Sequence, residues 1–213
     1  MKIGIDIDGV LTNLTAFQAK EGKKFFNDEL HFFNECAYDF QDMFSCTKEE
    51  KKSFWRKNIL KYYLNAECDK DASKVTEELK EQGHTIYLFS NRTQANQKGI
   101  KGNIYKELLK HWLEKNKILY DEIVYCDPEK SPEDKFYKCQ EKEIDIMIED
   151  QKFSAYLVSS VSKVILINRL YNIGLDLKNI ERVNNFEEIY KMLLEKEKKG
   201  EHKYDSKIKT KTI

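Results

Sequence analysis

Five short runs of aliphatic and β-branched residues recur along the chain, and they constrain its fold more than any other feature. The strands predicted from them span residues 2–7, 84–89, 122–126, 144–148 and 163–167. Near-continuous apolar character in most of these runs is typical of parallel strands whose two faces are both covered. The sequence therefore predicts a buried parallel sheet.

Amphipathic helical patterns lie between these strands. The predicted helices span residues 70–82, 101–116, 131–141 and 183–194. In the third of them, Ser131 is the expected N-cap and Pro132 occupies the first helical position. Strands that alternate with helices of this length predict a doubly wound, Rossmann-like α/β fold.

One long stretch interrupts the alternation directly after the first strand. It is helical in pattern, rich in aromatic residues and too long for a simple crossover. We expect an α/β core of residues 1–13 and 70–194, a helical insertion of residues 14–69 and a C-terminal tail of residues 195–213. The tail is lysine-rich and loses its apolar periodicity, which is typical of a solvated, flexible end.

Composition excludes several classes of partner. The 213 residues include 37 basic and 37 acidic ones, so no net charge favours binding to nucleic acid or to an anionic membrane. No apolar run approaches the ~20 residues that a membrane span needs. The five cysteines are scattered and form no CxxC pair. This pattern is typical of reduced thiols and predicts a cytoplasmic protein.

Two acidic residues, Asp6 and Asp8, stand at the end of the first predicted strand in the run IDIDGV. Ligands bind at the carboxyl ends of parallel strands, and residues i and i+2 of a strand share a face. Gly9 then permits a sharp departure of the backbone. Two carboxylates this close repel each other unless a cation or a shared proton relieves them, and Mg²⁺ is the simplest relief.

Other strand ends carry polar residues that the same sheet edge would gather. They are Ser90, Asn91 and Arg92 after the second strand, Glu149 and Asp150 after the fourth, and Lys130 and Lys135 near the start of the third helix. Four of them have a plainer alternative. Ser90 is also typical of a turn, Glu149 and Asp150 of a helix cap, and Arg92 either binds substrate or pairs with an acid.

Phosphoryl transfer uses such a set of residues economically. One carboxylate attacks phosphorus and becomes an aspartyl phosphate, and a second gives a proton to the leaving group and later takes one from water. A magnesium ion and a lysine offset the charge on the phosphoryl oxygens. The sequence therefore predicts an enzyme of phosphoryl transfer.

The four segments DIDGVLTN, FSNR, the Lys135 region and IEDQ resemble, in order and spacing, the four motifs of the haloacid dehalogenase (HAD) superfamily. The resemblance implies a HAD-like sheet with a small helical cap formed by the insertion, and such a cap favours a small phosphorylated metabolite as the substrate. It makes Asp6 the nucleophile and Asp8 the general acid/base. Phosphate would bind Ser90, Asn91 and Lys135, with Lys130 as the alternative lysine. Mg²⁺ would bind Asp6, Asp8 (through its backbone carbonyl), Asp150 and, less directly, Glu149.

A looser resemblance points to the 5′-nucleotidase-like branch of the superfamily and so to nucleoside monophosphates. A sugar- or polyol-phosphate phosphatase, a phosphomutase and a non-catalytic HAD-like binding scaffold stay open as alternatives. Four aromatic residues of the insertion, Phe54, Trp55, Tyr62 and Tyr63, form either its own core or a platform on which a base stacks. The residues predict no oligomeric state.

Overall fold

A computed structural model describes residues 1–27, 33–174 and 179–198, the last four of these by their backbone alone. The strands are β1 (Lys2–Asp6), β2 (Thr85–Ser90), β3 (Glu122–Tyr125), β4 (Ile146–Glu149), β5 (Lys163–Ile167) and β6 (Ile180–Val183). They form one parallel sheet in the order β3-β2-β1-β4-β5-β6. The strand order reverses between β1 and β4, and such a switch point is where doubly wound sheets bind their ligands.

Helices connect the strands and cover both faces of the sheet. They are α1 (Leu14–Phe26), α2 (Phe40–Phe44), α3 (Lys48–Asn65), α4 (Ala72–Glu81), α5 (Thr93–Asn96), α6 (Ile100–Lys115), α7 (Glu133–Lys142), α8 (Lys152–Val158) and α9 (Phe186–Lys198). A single 3₁₀ turn spans Leu170–Asn172. Within the described part of the chain, no helix is long and apolar enough to cross a membrane.

Two apolar layers pack on opposite faces of the sheet, because successive residues of a strand point to opposite sides. Ile3 and Ile5 of β1 lie in one layer with Trp112 of α6 and Phe186 of α9. The other layer lies under α7 and α8 and includes Phe89, Met147, Val164, Leu166, Cys139 and Ala155. By the same alternation Asp6 and Glu149, at the ends of β1 and β4, belong to the face that α7 covers.

The predicted α/β fold is confirmed, with three local corrections. The prediction missed β6, a short edge strand whose two central residues are charged and only partly buried. The last helix begins at Phe186 and not at residue 183, because Val183 ends β6. The predictions of Ser131 as the N-cap of α7 and of Pro132 as its first helical residue are wrong, because Pro132 is the N-cap and α7 begins at Glu133 without a side-chain cap. The Ser131 hydroxyl instead accepts a hydrogen bond from Asn91.

Helices α1, α2 and α3 of the insertion share an aromatic cluster of their own. Phe40, Phe44 and Phe54 are buried in it, and the rings of Phe40 and Phe54 stack with centroids 3.9 Å apart. Trp55 packs between Phe54 and Tyr62, at centroid distances of 5.2 and 5.8 Å. Tyr62 and Tyr63, near the C-terminal end of α3, join the core layer above the sheet. The insertion is thereby held against the carboxyl end of β1.

Candidate active site

A cavity of about 250 Å³ lies at the carboxyl ends of β1 and β4. Its walls come from both strand ends, the insertion and the segment before α7. The lining residues are Asp6, Asp8, Leu14, Tyr38, Asn91, Ser131, Pro132, Lys135, Glu149, Gln151 and Ser154. Most of these side chains are polar, so the cavity suits a small, hydrophilic ligand better than an apolar one.

Asp6, Lys135 and Glu149 form a buried ion-paired group on this wall. Lys135 Nζ lies 2.6 Å from Asp6 Oδ1 and 2.9 Å from Glu149 Oε2, and the lysine is 2% exposed. The register that pairs Ile5 with Ile148 brings the two strand ends side by side beneath α7. Burial lowers the pKa of Lys135, but the two carboxylates outweigh it and raise that pKa well above its usual range. The ammonium therefore stays charged at neutral pH.

Asp150 brings a third carboxylate to the same place. Carboxylate oxygens of Asp6, Glu149 and Asp150 lie within 4.8 Å of one another. Burial first, and then the neighbouring Glu149 carboxylate, raise the pKa of Asp150 to about 7. Burial also raises the pKa of Asp6 well above its usual range, although Lys135 opposes the rise. One lysine thus does not offset the negative charge that three ionised carboxylates place here.

This acidic group fits a divalent cation. Asp150 Oδ1 is buried and has no hydrogen-bond partner, whereas Oδ2 accepts a hydrogen bond from the Tyr171 hydroxyl. A buried oxygen without a partner is costly, and a bound ion would satisfy it. Clustered carboxylate oxygens are ligands that Mg²⁺ prefers. Asp6, Asp150 and Glu149 are therefore the side chains placed to hold it.

Gly9 is required by the close packing of this acidic group. Its φ of +105° lies in the region that favours glycine. A Cβ atom added at this position would lie 1.9 Å from Asp150 Oδ2. Gly9 therefore has two roles. It permits the expected sharp turn of the chain after Asp8, and it lets the Asp150 carboxylate approach the backbone of the β1 loop.

Asp8 lines the same cavity as Asp6 but binds different partners. Its Oδ1 accepts hydrogen bonds from the Tyr62 hydroxyl (2.6 Å) and from Arg92 Nη2 (2.7 Å). Arg92 Nε lies 3.0 Å from both carboxylate oxygens. The Arg92 guanidinium is packed between the rings of Tyr62 and Tyr63, at 4.8 and 4.6 Å from their centroids. Arg92 thus pairs with an acid, and a role in binding substrate stays a prediction.

The remaining candidates separate into residues at the cavity and residues away from it. Asn91 is on the wall and donates from Nδ2 to Ser131 Oγ at 2.8 Å. Ser90 is buried, and its hydroxyl accepts the Arg92 backbone N–H at 3.4 Å. Because Phe89 faces α7, strand alternation turns Ser90 to the other face of the sheet. The side chain of Lys130 is 75% exposed and lies 3.6 Å from Asp127.

The helix-cap interpretation of Glu149 and Asp150 does not match the structure, since Gln151 is the N-cap of α8 and accepts the Ser154 N–H. Sequence reasoning missed Tyr38 and Tyr171, whose rings meet with centroids 5.1 Å apart beside the acidic group. Tyr171 follows the end of β5, so the strand-end rule that found Asp150 also applies to it. Tyr38 lies in a loop of the insertion, where no periodic pattern marks it.

Comparison with known proteins identifies the fold. No protein-family model matches the chain. The structure matches a HAD family hydrolase from Deinococcus radiodurans R1, solved with bound phosphate and sodium (TM-score 0.59, 14% identity, covering 91% of this chain and 95% of that one). It also matches a "predicted phosphatase" from Clostridium acetobutylicum (TM-score 0.61, 16% identity, 91% and 98% covered). The chain has the fold of the HAD superfamily, and the fold predicted from its four motifs is confirmed.

A curated relative is similar over nearly the whole chain. It is "Putative nucleotidase YqfW" of Bacillus subtilis (strain 168), which is 27% identical over 189 residues. The alignment covers 87% of this chain and 90% of that protein.

Proposed function

We propose that the chain is a Mg²⁺-dependent phosphomonoesterase that works through an aspartyl phosphate on Asp6. One observation carries the proposal: the Asp6 carboxylate opens onto the cavity while Lys135 binds only one of its oxygens, Oδ1. The second oxygen is the one we assign to attack on phosphorus. Burial between β1, β4 and α7 fixes the carboxylate in place, so little reorganisation precedes the attack.

Asp6, Asp150 and Glu149 would hold the magnesium ion, with the backbone carbonyl of Asp8 as the further ligand that the motif implies. When bound, the ion supplies positive charge beside the phosphoryl oxygens. Lys135 adds a permanent cation at the same wall, since its ammonium cannot lose its proton next to two carboxylates. Asn91, which also lines the cavity, would contribute its amide to phosphoryl binding.

Asp8 is the residue we assign to proton transfer. It lies on the cavity wall two residues from the nucleophile. The Tyr62 hydroxyl and the Nε and Nη2 groups of Arg92 donate hydrogen bonds that fix its carboxylate. From there Asp8 gives a proton to the leaving oxygen and later takes one from the attacking water. The role of the Ser90 hydroxyl in phosphate binding stays a prediction, because that side chain is turned away from the cavity.

The insertion of residues 14–69 is the proposed cap. Leu14 and Tyr38 of this segment lie on the cavity wall, so the insertion closes one side of the site. Exclusion of water by such a wall strengthens the electrostatic interactions within the cavity and limits the size of the substrate. The division into core, cap and tail, and a cytoplasmic location, stay predictions. The predicted tail beyond residue 198 lies outside the described residues.

The leading substrate class is a nucleoside monophosphate. The name of the curated relative supports it, and so does Tyr38, an aromatic ring on the cavity wall on which a base can stack. A second class, sugar or polyol phosphates, is favoured by a different observation. Among the described residues that line the cavity, Tyr38 is the only aromatic one, and Phe54, Trp55, Tyr62 and Tyr63 are used in packing.

Phosphate release from a panel of nucleoside monophosphates, sugar phosphates and polyol phosphates tests the proposal and ranks the two classes. We expect turnover with Mg²⁺ and none in EDTA. Asp6→Asn should abolish turnover while the circular dichroism spectrum stays unchanged. Turnover retained in Asp6→Asn would remove Asp6 from the nucleophile role. Binding of phosphate esters by the wild type without any release would support the non-catalytic scaffold instead.

A further inference from the structure

The loop that follows β5 contacts the acidic group from outside the cavity. Two of its residues hold Asp150 at different atoms. The Tyr171 hydroxyl donates to the carboxylate oxygen Oδ2, and Asn172 Nδ2 donates to the Asp150 backbone carbonyl at 2.7 Å. The same amide nitrogen reaches the carbonyl of Ile167, also at 2.7 Å. Both the main chain and the side chain of Asp150 are therefore tied to this loop.

The loop is itself held rigidly. Asn172 is fully buried, and its side-chain oxygen accepts hydrogen bonds from the Arg169 backbone N–H (3.1 Å) and from Arg182 Nη2 (2.8 Å). Arg169 donates from Nε and Nη2 to the Gly9 carbonyl, at 3.2 and 2.9 Å. One network thus joins the β5 loop, the β1 loop and the residue after β4.

The consequence for Asp150 is a carboxylate with one oxygen engaged and one without a partner. A free carboxylate exchanges its two oxygens by rotation, but the Tyr171 hydrogen bond selects one orientation. Oδ2 is then used by the protein, and Oδ1 is buried and unpartnered. Hydroxyl or amide donors that orient a carboxylate ligand in this way are a recurring feature of metal sites.

We propose that Tyr171 is a positioning residue for the divalent cation: its hydroxyl orients Asp150 so that Oδ1 is presented to the ion. The inference rests on the proposed function only in requiring that a divalent cation binds the acidic group. It does not depend on the substrate, on Asp8 or on the order of chemical steps. It also gives a role to a loop that the four motifs do not include.

The variant Tyr171→Phe removes the hydroxyl and keeps the ring that packs on Tyr38. The matched control is Tyr156→Phe, which removes the hydroxyl of a tyrosine that is 56% exposed on α8. Binding of Mn²⁺ by electron paramagnetic resonance and of Mg²⁺ by calorimetry measures cation affinity without any substrate. We expect Tyr171→Phe to weaken both affinities about 10- to 100-fold. Tyr156→Phe should match the wild type.

A purely structural role for Tyr171 makes a different prediction. It would lower stability in EDTA and leave the cation affinity of the folded protein unchanged, and that result would overturn the inference. A wild type that binds no divalent cation would instead overturn the metal requirement of the proposed function itself.

Discussion

Arg92 and Asp8 form a bidentate ion pair that joins the loop after β2 to the loop after β1. Nε and Nη2 of Arg92 lie 3.0 and 2.7 Å from Asp8 Oδ1, and the side chains are 4% and 18% exposed. Burial opposes the charge on Arg92, but the Asp8 carboxylate outweighs it and raises the pKa of Arg92. The Arg92 guanidinium therefore stays charged, and it fixes the carboxylate to which we assign proton transfer.

Removing one partner of this pair should be costly, because the other is left as a buried, unpaired charge. We expect Arg92→Met to lower the free energy of unfolding by about 3–5 kcal/mol. Adding Asp8→Asn to it should cost less than the sum of the single changes, with a coupling of about 1–3 kcal/mol. Urea unfolding of the four proteins measures this coupling.

The matched control for that cycle is the exposed pair Lys110–Glu107, whose side chains are 46% and 69% exposed although Nζ and Oε1 lie 2.7 Å apart. Its coupling should not exceed about 0.5 kcal/mol, since solvent screens exposed pairs. Equal coupling energies in the two cycles would mean that burial does not strengthen the Arg92–Asp8 pair.

Lys135 and Lys130 should differ sharply in their effect on turnover. Lys135 contacts Asp6, the proposed nucleophile, whereas Lys130 lies on the surface near Asp127. Lys135→Met should lower kcat about 10²- to 10³-fold, because it removes a preorganised cation from the phosphoryl site. Lys130→Met should change kcat less than twofold. Steady-state kinetics measures both, and a large loss in Lys130→Met would reassign the lysine.

The parts of the fold that sequence patterns predicted are those that local chemistry determines. The central strands β1, β2, β4 and β5 have apolar runs because both of their faces are covered. The edge strand β6 was missed because its central residues, Glu181 and Arg182, are only half-buried and break that pattern. Helix α7 begins later than predicted, where a tertiary contact of Ser131 with Asn91 replaces the expected cap.

The site was predictable as far as strand ends determine it. Asp6, Asp8, Glu149 and Asp150 all meet at one edge because parallel strands bring their carboxyl ends together. The choice between Lys130 and Lys135 depends on how α7 packs against the sheet. The direction of the Ser90 side chain depends on which face of the sheet Phe89 occupies. Neither is set by neighbouring residues alone. The contact between Tyr171 and Asp150 depends on the path of a whole loop.

Gly9→Ala should damage the site by steric conflict. Its Cβ would meet the Asp150 carboxylate, whereas a Cβ at Gly83, which also has a positive φ of +79°, meets nothing within 4 Å. Gly83→Ala therefore measures the backbone strain alone, about 1–2 kcal/mol. Gly9→Ala should cost more than this in urea unfolding and should also weaken Mg²⁺ binding. Equal costs in the two variants would show that Asp150 moves aside freely.

The stability of the metal-free protein should fall as pH rises from about 4 to about 7. Burial and Glu149 raise the pKa of Asp150 to about 7, whereas an unfolded aspartate has a pKa of about 3.9. Between these two pKa values the folded state keeps a proton on Asp150 that the unfolded state has lost. The stabilisation that this proton gives the folded state is present at low pH and is lost as the pH rises to 7. Each unit of pKa difference corresponds to ~1.4 kcal/mol, which makes the fall a few kcal/mol at most.

Urea unfolding in EDTA at pH 5, 6 and 7 measures this fall, and Asp150→Asn is its control. The asparagine side chain does not titrate, so the unfolding free energy of this variant should depend less on pH over this range. Saturating Mg²⁺ should also flatten the dependence in the wild type, because a bound cation stabilises the ionised carboxylates. The same slope in Asp150→Asn as in the wild type would assign the proton to another group, with buried Asp6, whose pKa is also raised, as the next to test.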